Sequence, residues 1–169
     1  MKRVPDFLTA FRGMIAVGII LLGIKGPDAL ELVILFTMIG WTTDILDGRI
    51  ARRYYKEATW VGEREFVFDV ILIFSGLCYL VMAGFVPFLP AAVYLTSAAV
   101  FIIYFRSKSV TMSLAFPLAV LPFVVAYFNA PWAALLYAIW TVTVLLIDWQ
   151  RFKGVVLEFI ENAKAIQKH

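Results

Sequence analysis

Asp44-Ile45-Leu46-Asp47-Gly48-Arg49-Ile50-Ala51-Arg52, followed after a short polar run by Gly62-Glu63-Arg64-Glu65-Phe66-Val67-Phe68-Asp69, is the stretch from which the rest of the chain is read. Its first half closes one strongly apolar segment and its second half opens the next. Asp44, Asp47, Glu65 and Asp69 therefore stand at the edges of sequence apolar enough for a lipid bilayer. Ionisable side chains are costly there, and their default reading is functional. On helices, Asp44 and Asp47 lie three residues apart and Glu65 and Asp69 four apart, so each pair shares a face. Three residues of rise separate the first pair by about 4.5 Å along the axis, and dinuclear phosphoryl-transfer sites hold their metals ~3.5–4 Å apart. Antiparallel helices joined by a short polar loop bring the two pairs face to face. The expectation is a two-metal site that breaks a phosphoanhydride at a membrane surface.

Composition agrees with the bilayer setting. Of 169 residues, 63% are hydrophobic and 16% charged, where a soluble domain carries about 25% charged residues. An integral membrane protein is expected, with residues 1–169 forming one domain. Continuous apolar runs without strand-length alternation predict an all-α, polytopic protein and not a barrel. The net charge of +3 is modest and its bases cluster in loops, which fits membrane topology and not nucleic-acid binding. Cys78 is the only cysteine and His169 the only histidine, so an intrachain disulfide, a cysteine-based zinc site and histidine acid–base chemistry are excluded. The N-terminal run resembles a signal peptide only superficially, since Arg12 interrupts it and no small-residue cleavage site ends it.

A spanning helix needs about 20 mostly apolar residues, and six segments qualify: Phe7 to Ile24, Ala29 to Arg53, Gly62 to Phe85, Ala91 to Tyr104, Val110 to Phe128, and Pro131 to Ile147. Lys2 and Arg3, the bases from Arg49 to Arg64, Arg106 and Lys108, and Arg151 and Lys153 fall at alternate ends, while the opposite loops hold only Lys25. The positive-inside bias then puts both termini and the acid stretch in the cytoplasm, in a cell inner membrane. In the tail from Arg151, Phe152, Val155, Val156, Phe159, Ile160, Ala163 and Ile166 share one helical face. This predicts a C-terminal amphipathic helix at the membrane interface, or one packed on a neighbouring protein surface. Trp41, Trp60, Trp132, Trp140 and Trp149 fall mostly near span ends, where interfacial anchoring suffices.

Oxygen donors without cysteine or histidine favour Mg²⁺ or Mn²⁺. Gly48 and Ala51 remove bulk beside the acids, and Arg52 can grip phosphate oxygens bidentately. The plainer alternative is an acid cluster neutralised by Arg49, Arg52, Arg53 and Arg64 at a helix boundary. Arg106, Lys108 and Arg64 suit an acceptor phosphate or a lipid phosphate, and positive-inside anchoring explains them equally well.

Asp44-x-x-Asp47-Gly48-x-x-Ala51-Arg52 resembles, without a mismatch, the first half of the CDP-alcohol phosphatidyltransferase signature, D-x-x-D-G-x-x-A-R followed by G-x-x-x-D-x-x-x-D. Pro5-Asp6-x-Leu8-Thr9-x-x-Arg12 is similar to the family's N-terminal Pro-Asn-x-Leu-Thr-x-x-Arg, with Asp6 in place of asparagine. In the second half, ungapped alignment sets Glu65 and Asp69 at the acid positions and Val61 at the glycine. Shifting by one restores Gly62 but puts Phe66 and Val70 where acids belong, so the first register is taken.

The resemblance implies that Asp44, Asp47, Glu65 and Asp69 ligate two divalent ions, Mg²⁺ or Mn²⁺, with Asp69 also the general base. It implies that Gly48 and Ala51 line the cytidine pocket, that Arg52 contacts the nucleotide phosphates, and that the protein is a homodimer. The implied activity moves a phosphatidyl-type group from a CDP-alcohol, CDP-diacylglycerol foremost, to a small alcohol such as glycerol 3-phosphate, releasing CMP in phospholipid synthesis. Glu65 and Val61 motivate an alternative, a catalytically weakened relative that binds CDP-lipid or metal. A cation transporter fits less well, because the acids cluster at one membrane face.

Overall fold

The computed structural model describes residues 4–54 and 65–166, and every regular element among them is helical. Helix α1 (Val4–Leu22) runs into a 3-10 segment (Gly23–Ala29), then α2 (Leu30–Tyr54). After the polar connection come α3 (Glu65–Met82), α4 (Phe88–Phe105), α5 (Lys108–Asn129), α6 (Pro131–Ile147) and α7 (Trp149–Ile166). The boundaries follow the breakers in the sequence. Gly26 turns the chain between α1 and α2 at φ 72°, ψ −152°, a conformation that glycine adopts without steric cost, and Pro27 follows it. Pro87 precedes α4 in extended conformation, and Pro131 opens α6 at the position where its missing N–H costs nothing.

The expected helices are present, but their apolar lengths are unequal. By length and composition three runs are long enough to cross a membrane: Phe7–Leu46, Phe88–Phe105 and Ser109–Asn129. The first contains both α1 and α2, which fold back against each other, so one apolar run supplies two helices. Pro131–Ile147 qualifies only together with Phe152–Glu161, across a bend of 85°. Among the described residues Val67–Met82 of α3 is apolar but shorter.

The core lies where α1 packs between α2 and α3. Ile15, Ala16 and Ile19 of α1 meet Val33 and Ile34 of α2 and Leu72, Tyr79 and Leu80 of α3, with Ala126, Ala133 and Ala134 of α5 and α6 closing one side. Tyr79 Oη donates to the Gly26 carbonyl at 3.1 Å, fixing the α1–α2 turn to the far end of α3. α2 and α3 approach closely at Gly40, where an added Cβ would lie 2.8 Å from Leu72 Cδ2. That contact is one turn from Asp44 on α2 and one turn from Asp69 on α3, so it sets the spacing of the acid-bearing ends. Large apolar side chains cover the outside, Phe88, Ile103, Phe116, Phe128 and Trp132 among them. An exterior of this kind suits lipid contact and would aggregate in water.

Candidate functional site

Asp44 and Asp69, the first and last acids of the stretch, come together around a side chain from a third helix. Arg12 of α1 is fully buried, with a side-chain exposure of 0%. Its Nη2 lies 3.2 Å from Asp44 Oδ1 and its Nη1 donates to Asp69 Oδ1 at 2.5 Å. Asp44 is 10% exposed at its side chain and Asp69 24%, so the cluster grades from a sealed end at α1 to an open end at Asp69. An arginine suits this place because its planar guanidinium can address two carboxylates at once. Removing one partner of such a buried pair costs about 3–5 kcal/mol, since the remaining charge stays behind. The motif that carries Arg12 was visible in the sequence, but nothing there assigned it these partners. Its interruption of an apolar run was the available signal.

Asp69 also opens onto a cavity of about 730 Å³ between α3, α5 and α7. Among the described residues Asp69 is its only charged lining residue, and Trp41, Ile73, Phe116, Val156 and Phe159 supply an apolar wall. A second apolar cavity, about 520 Å³, adjoins it across Trp41, Phe116 and Ala119. A third, about 350 Å³, lies behind Ser113 and Phe159. Volumes of this size match ligand sites, about 300–1,000 Å³.

The end of the bundle that holds the acids is tied together by polar contacts. Arg49 Nη2 on α2 lies 3.6 Å from Asp148 Oδ1 and donates to the Ile147 carbonyl at 3.3 Å, joining α2 to the α6–α7 elbow. Ser109 Oγ at the start of α5 donates to the Phe159 carbonyl of α7 at 3.3 Å. Trp140 Nε1 of α6 donates to Thr42 Oγ1 of α2 at 3.1 Å. Trp41 and Trp140 thus face the site and its cavities, where interfacial anchoring was expected. Both lie well inside their helices, α2 and α6, and not at span ends.

α2 carries Asp47, Gly48, Ala51 and Arg52, and α3 begins at Glu65, but their side chains lie outside the described residues, as do the Lys108 side chain and the whole of Arg64. Among the described residues no three aspartate, glutamate, cysteine or histidine side chains gather as a metal-holding group, and Asp47 and Glu65 are not among those residues. Arg106 is exposed and caps α4 in the left-handed region at φ 46°, its N–H donating to the Ile102 carbonyl. It is not among the residues that line the cavity holding Asp69.

A family model described as CDP-alcohol phosphatidyltransferase matches residues 2–159. Comparison with curated proteins and with solved structures finds no match to the chain. The matched region contains α1 to α6, both halves of the acid stretch and the part of α7 that walls the cavity. With its apolar helices, the protein is an integral membrane protein, and it belongs to the CDP-alcohol phosphatidyltransferase family, membrane transferases of phospholipid synthesis that use a CDP-alcohol donor and an acceptor alcohol and generally depend on divalent metal.

Proposed function

We propose that the protein transfers a phosphatidyl group from CDP-diacylglycerol to a small alcohol such as glycerol 3-phosphate, releasing CMP, in a reaction that requires Mg²⁺ or Mn²⁺. The observation that carries this reading is Asp69, which contacts Arg12 on one side and opens on the other into an apolar cavity of about 730 Å³. The mostly apolar wall matches the acyl tails, and the Asp69 carboxylate would meet the anionic diphosphate head through a divalent cation.

The residues present fit hard divalent cations: the donors are carboxylates, and Asp44 and Asp69 converge from two helices on one point. Asp44, Asp47, Glu65 and Asp69 would hold two such ions. When bound, these ions neutralise the diphosphate and stabilise the charge that CMP carries away. Asp69 accepts the proton of the acceptor hydroxyl as its oxygen forms a bond to the lipid-side phosphorus. The anhydride bond to CMP breaks in the same displacement. Arg52 would grip the nucleotide phosphates, and Gly48 and Ala51 would leave room for cytidine beside α2. Arg106, Lys108 and Arg64 would supply positive charge for an acceptor phosphate. The working form is a single-domain homodimer, six spans per chain, with site and termini in the cytoplasm.

The test is CMP release by purified protein with CDP-diacylglycerol and a panel of acceptors: glycerol 3-phosphate, inositol phosphate, serine and phosphatidylglycerol. Turnover should appear with Mg²⁺ or Mn²⁺ and vanish in EDTA. Asp69→Asn should lower it at least roughly a hundredfold, the scale of a lost general base. Absence of turnover with every acceptor would sink the enzymatic reading.

A further inference from the structure

We propose that Arg12 is a positioning residue that presets the cation site, holding Asp44 and Asp69 at their working separation and so setting metal affinity. The inference rests on the reading of those two aspartates as metal ligands. α1 packs along both α2 and α3, whereas those two helices touch each other little beyond the approach at Gly40. Among the described residues the relative placement of the two acid-bearing ends is therefore transmitted through α1, and at the site itself through the Arg12 guanidinium. Arg12 reaches the Oδ1 atom of each aspartate with a different terminal nitrogen, Nη2 to Asp44 and Nη1 to Asp69.

Two effects of Arg12 oppose each other. Its positive charge repels a nearby cation, while its fork removes the reorganisation that two mutually repelling carboxylates would otherwise need before binding one. Arg12→Lys separates them, because lysine keeps the charge but replaces the rigid two-nitrogen fork with one rotatable ammonium on a flexible stem, which does not fix the separation of the two carboxylates. Outer groups that orient metal ligands typically change metal affinity about 10–100-fold when altered. Arg12 is not among the residues that line the cavity holding Asp69.

The experiment compares Mn²⁺ binding to wild type and Arg12→Lys in detergent micelles without substrate, by electron paramagnetic resonance of free Mn²⁺. Binding should weaken about 10–100-fold in the variant, and the Mn²⁺ concentration for half-maximal CMP release should rise in parallel, with a smaller change in kcat. Wild-type affinity in the variant overturns the proposal. A wild type that binds no Mn²⁺ overturns the metal reading beneath it, and the two failures are told apart by the wild-type titration. A second measurement stands whether or not Arg12→Lys folds: thermal melting of Asp69→Asn in EDTA. Neutralising one acid of a self-repelling cluster raises the melting temperature, whereas breaking a pair with Arg12 lowers it. A fall supports the bridge, and an unchanged or higher value overturns it.

Discussion

Asp44 and Asp69 were legible because each stands at a helical interval from a second acid, in sequence where charge is costly. Arg12 was not, because its partner Asp69 lies 57 residues away and periodicity reports only neighbours along one helix. A lone arginine in an apolar run says that a counter-charge exists but not where. Glu65 raises the opposite question, since its position in α3 is known and its chemistry is the departure from the family signature. Its extra methylene moves the carboxylate by up to ~1.5 Å relative to aspartate. Asp44 and Asp69 are held by a buried arginine and the helix spacing by Gly40 against Leu72, so the site has little slack to absorb a shorter ligand. Glu65→Asp is therefore expected to lower metal-dependent CMP release, by about tenfold or more on the scale of misplaced metal-site groups. A marked rise instead would identify the natural protein as a weakened catalyst, the reading that Glu65 first suggested.

At the scale of elements, the helix limits follow from Gly26, Pro87 and Pro131, each of which breaks or starts a helix for a backbone reason visible in the sequence. What the amphipathic pattern of the tail left open was the surface it covers. Val156 and Phe159 of α7 line the cavity that holds Asp69, and Phe159 also lines the smaller cavity beyond it, so its ring, with Ser113, stands between two apolar spaces. The Ser109 bond to the Phe159 carbonyl holds that turn of α7 in place. Phe159→Ala should join the spaces of about 730 and 350 Å³ and admit more acyl chain. Each additional buried methylene contributes about 0.8 kcal/mol, so the preference for dipalmitoyl over dioctanoyl CDP-glycerol should rise several-fold over wild type. The ratio of kcat/KM for the two donors reads this directly. An unchanged ratio with both activities retained would mean that acyl chains do not use this part of the cavity.

For the molecule as a whole, the pattern of contacts and the pattern of charge make the same division into two ends. Arg12 with Asp44 and Asp69, Arg49 with Asp148, and Ser109 with Phe159 lie at one end, whose loops carry nearly all the lysine and arginine. Tyr79 bonded to the Gly26 carbonyl marks the other, where Lys25 is the only base among the connecting loops. Apolar length alone does not yield the number of crossings, since among the described residues three runs qualify outright and Pro131–Ile147 does so only together with the helix that follows it. A helix of 17 residues such as α6 lies at the lower limit for a bilayer. Cysteine labelling decides the matter. With Cys78→Ala as background, single cysteines at the exposed positions Asp28, Asn129 and Gln150 are treated with a membrane-impermeant maleimide in intact and permeabilised cells. Six crossings with cytoplasmic termini require Asp28→Cys and Asn129→Cys to label in intact cells and Gln150→Cys only after permeabilisation. Labelling of Gln150→Cys in intact cells would reverse the orientation. Labelling of Asp28→Cys and Asn129→Cys from opposite sides would mean that α2 to α5 do not make four crossings, and the acids would then lack a common face on which to meet a lipid donor.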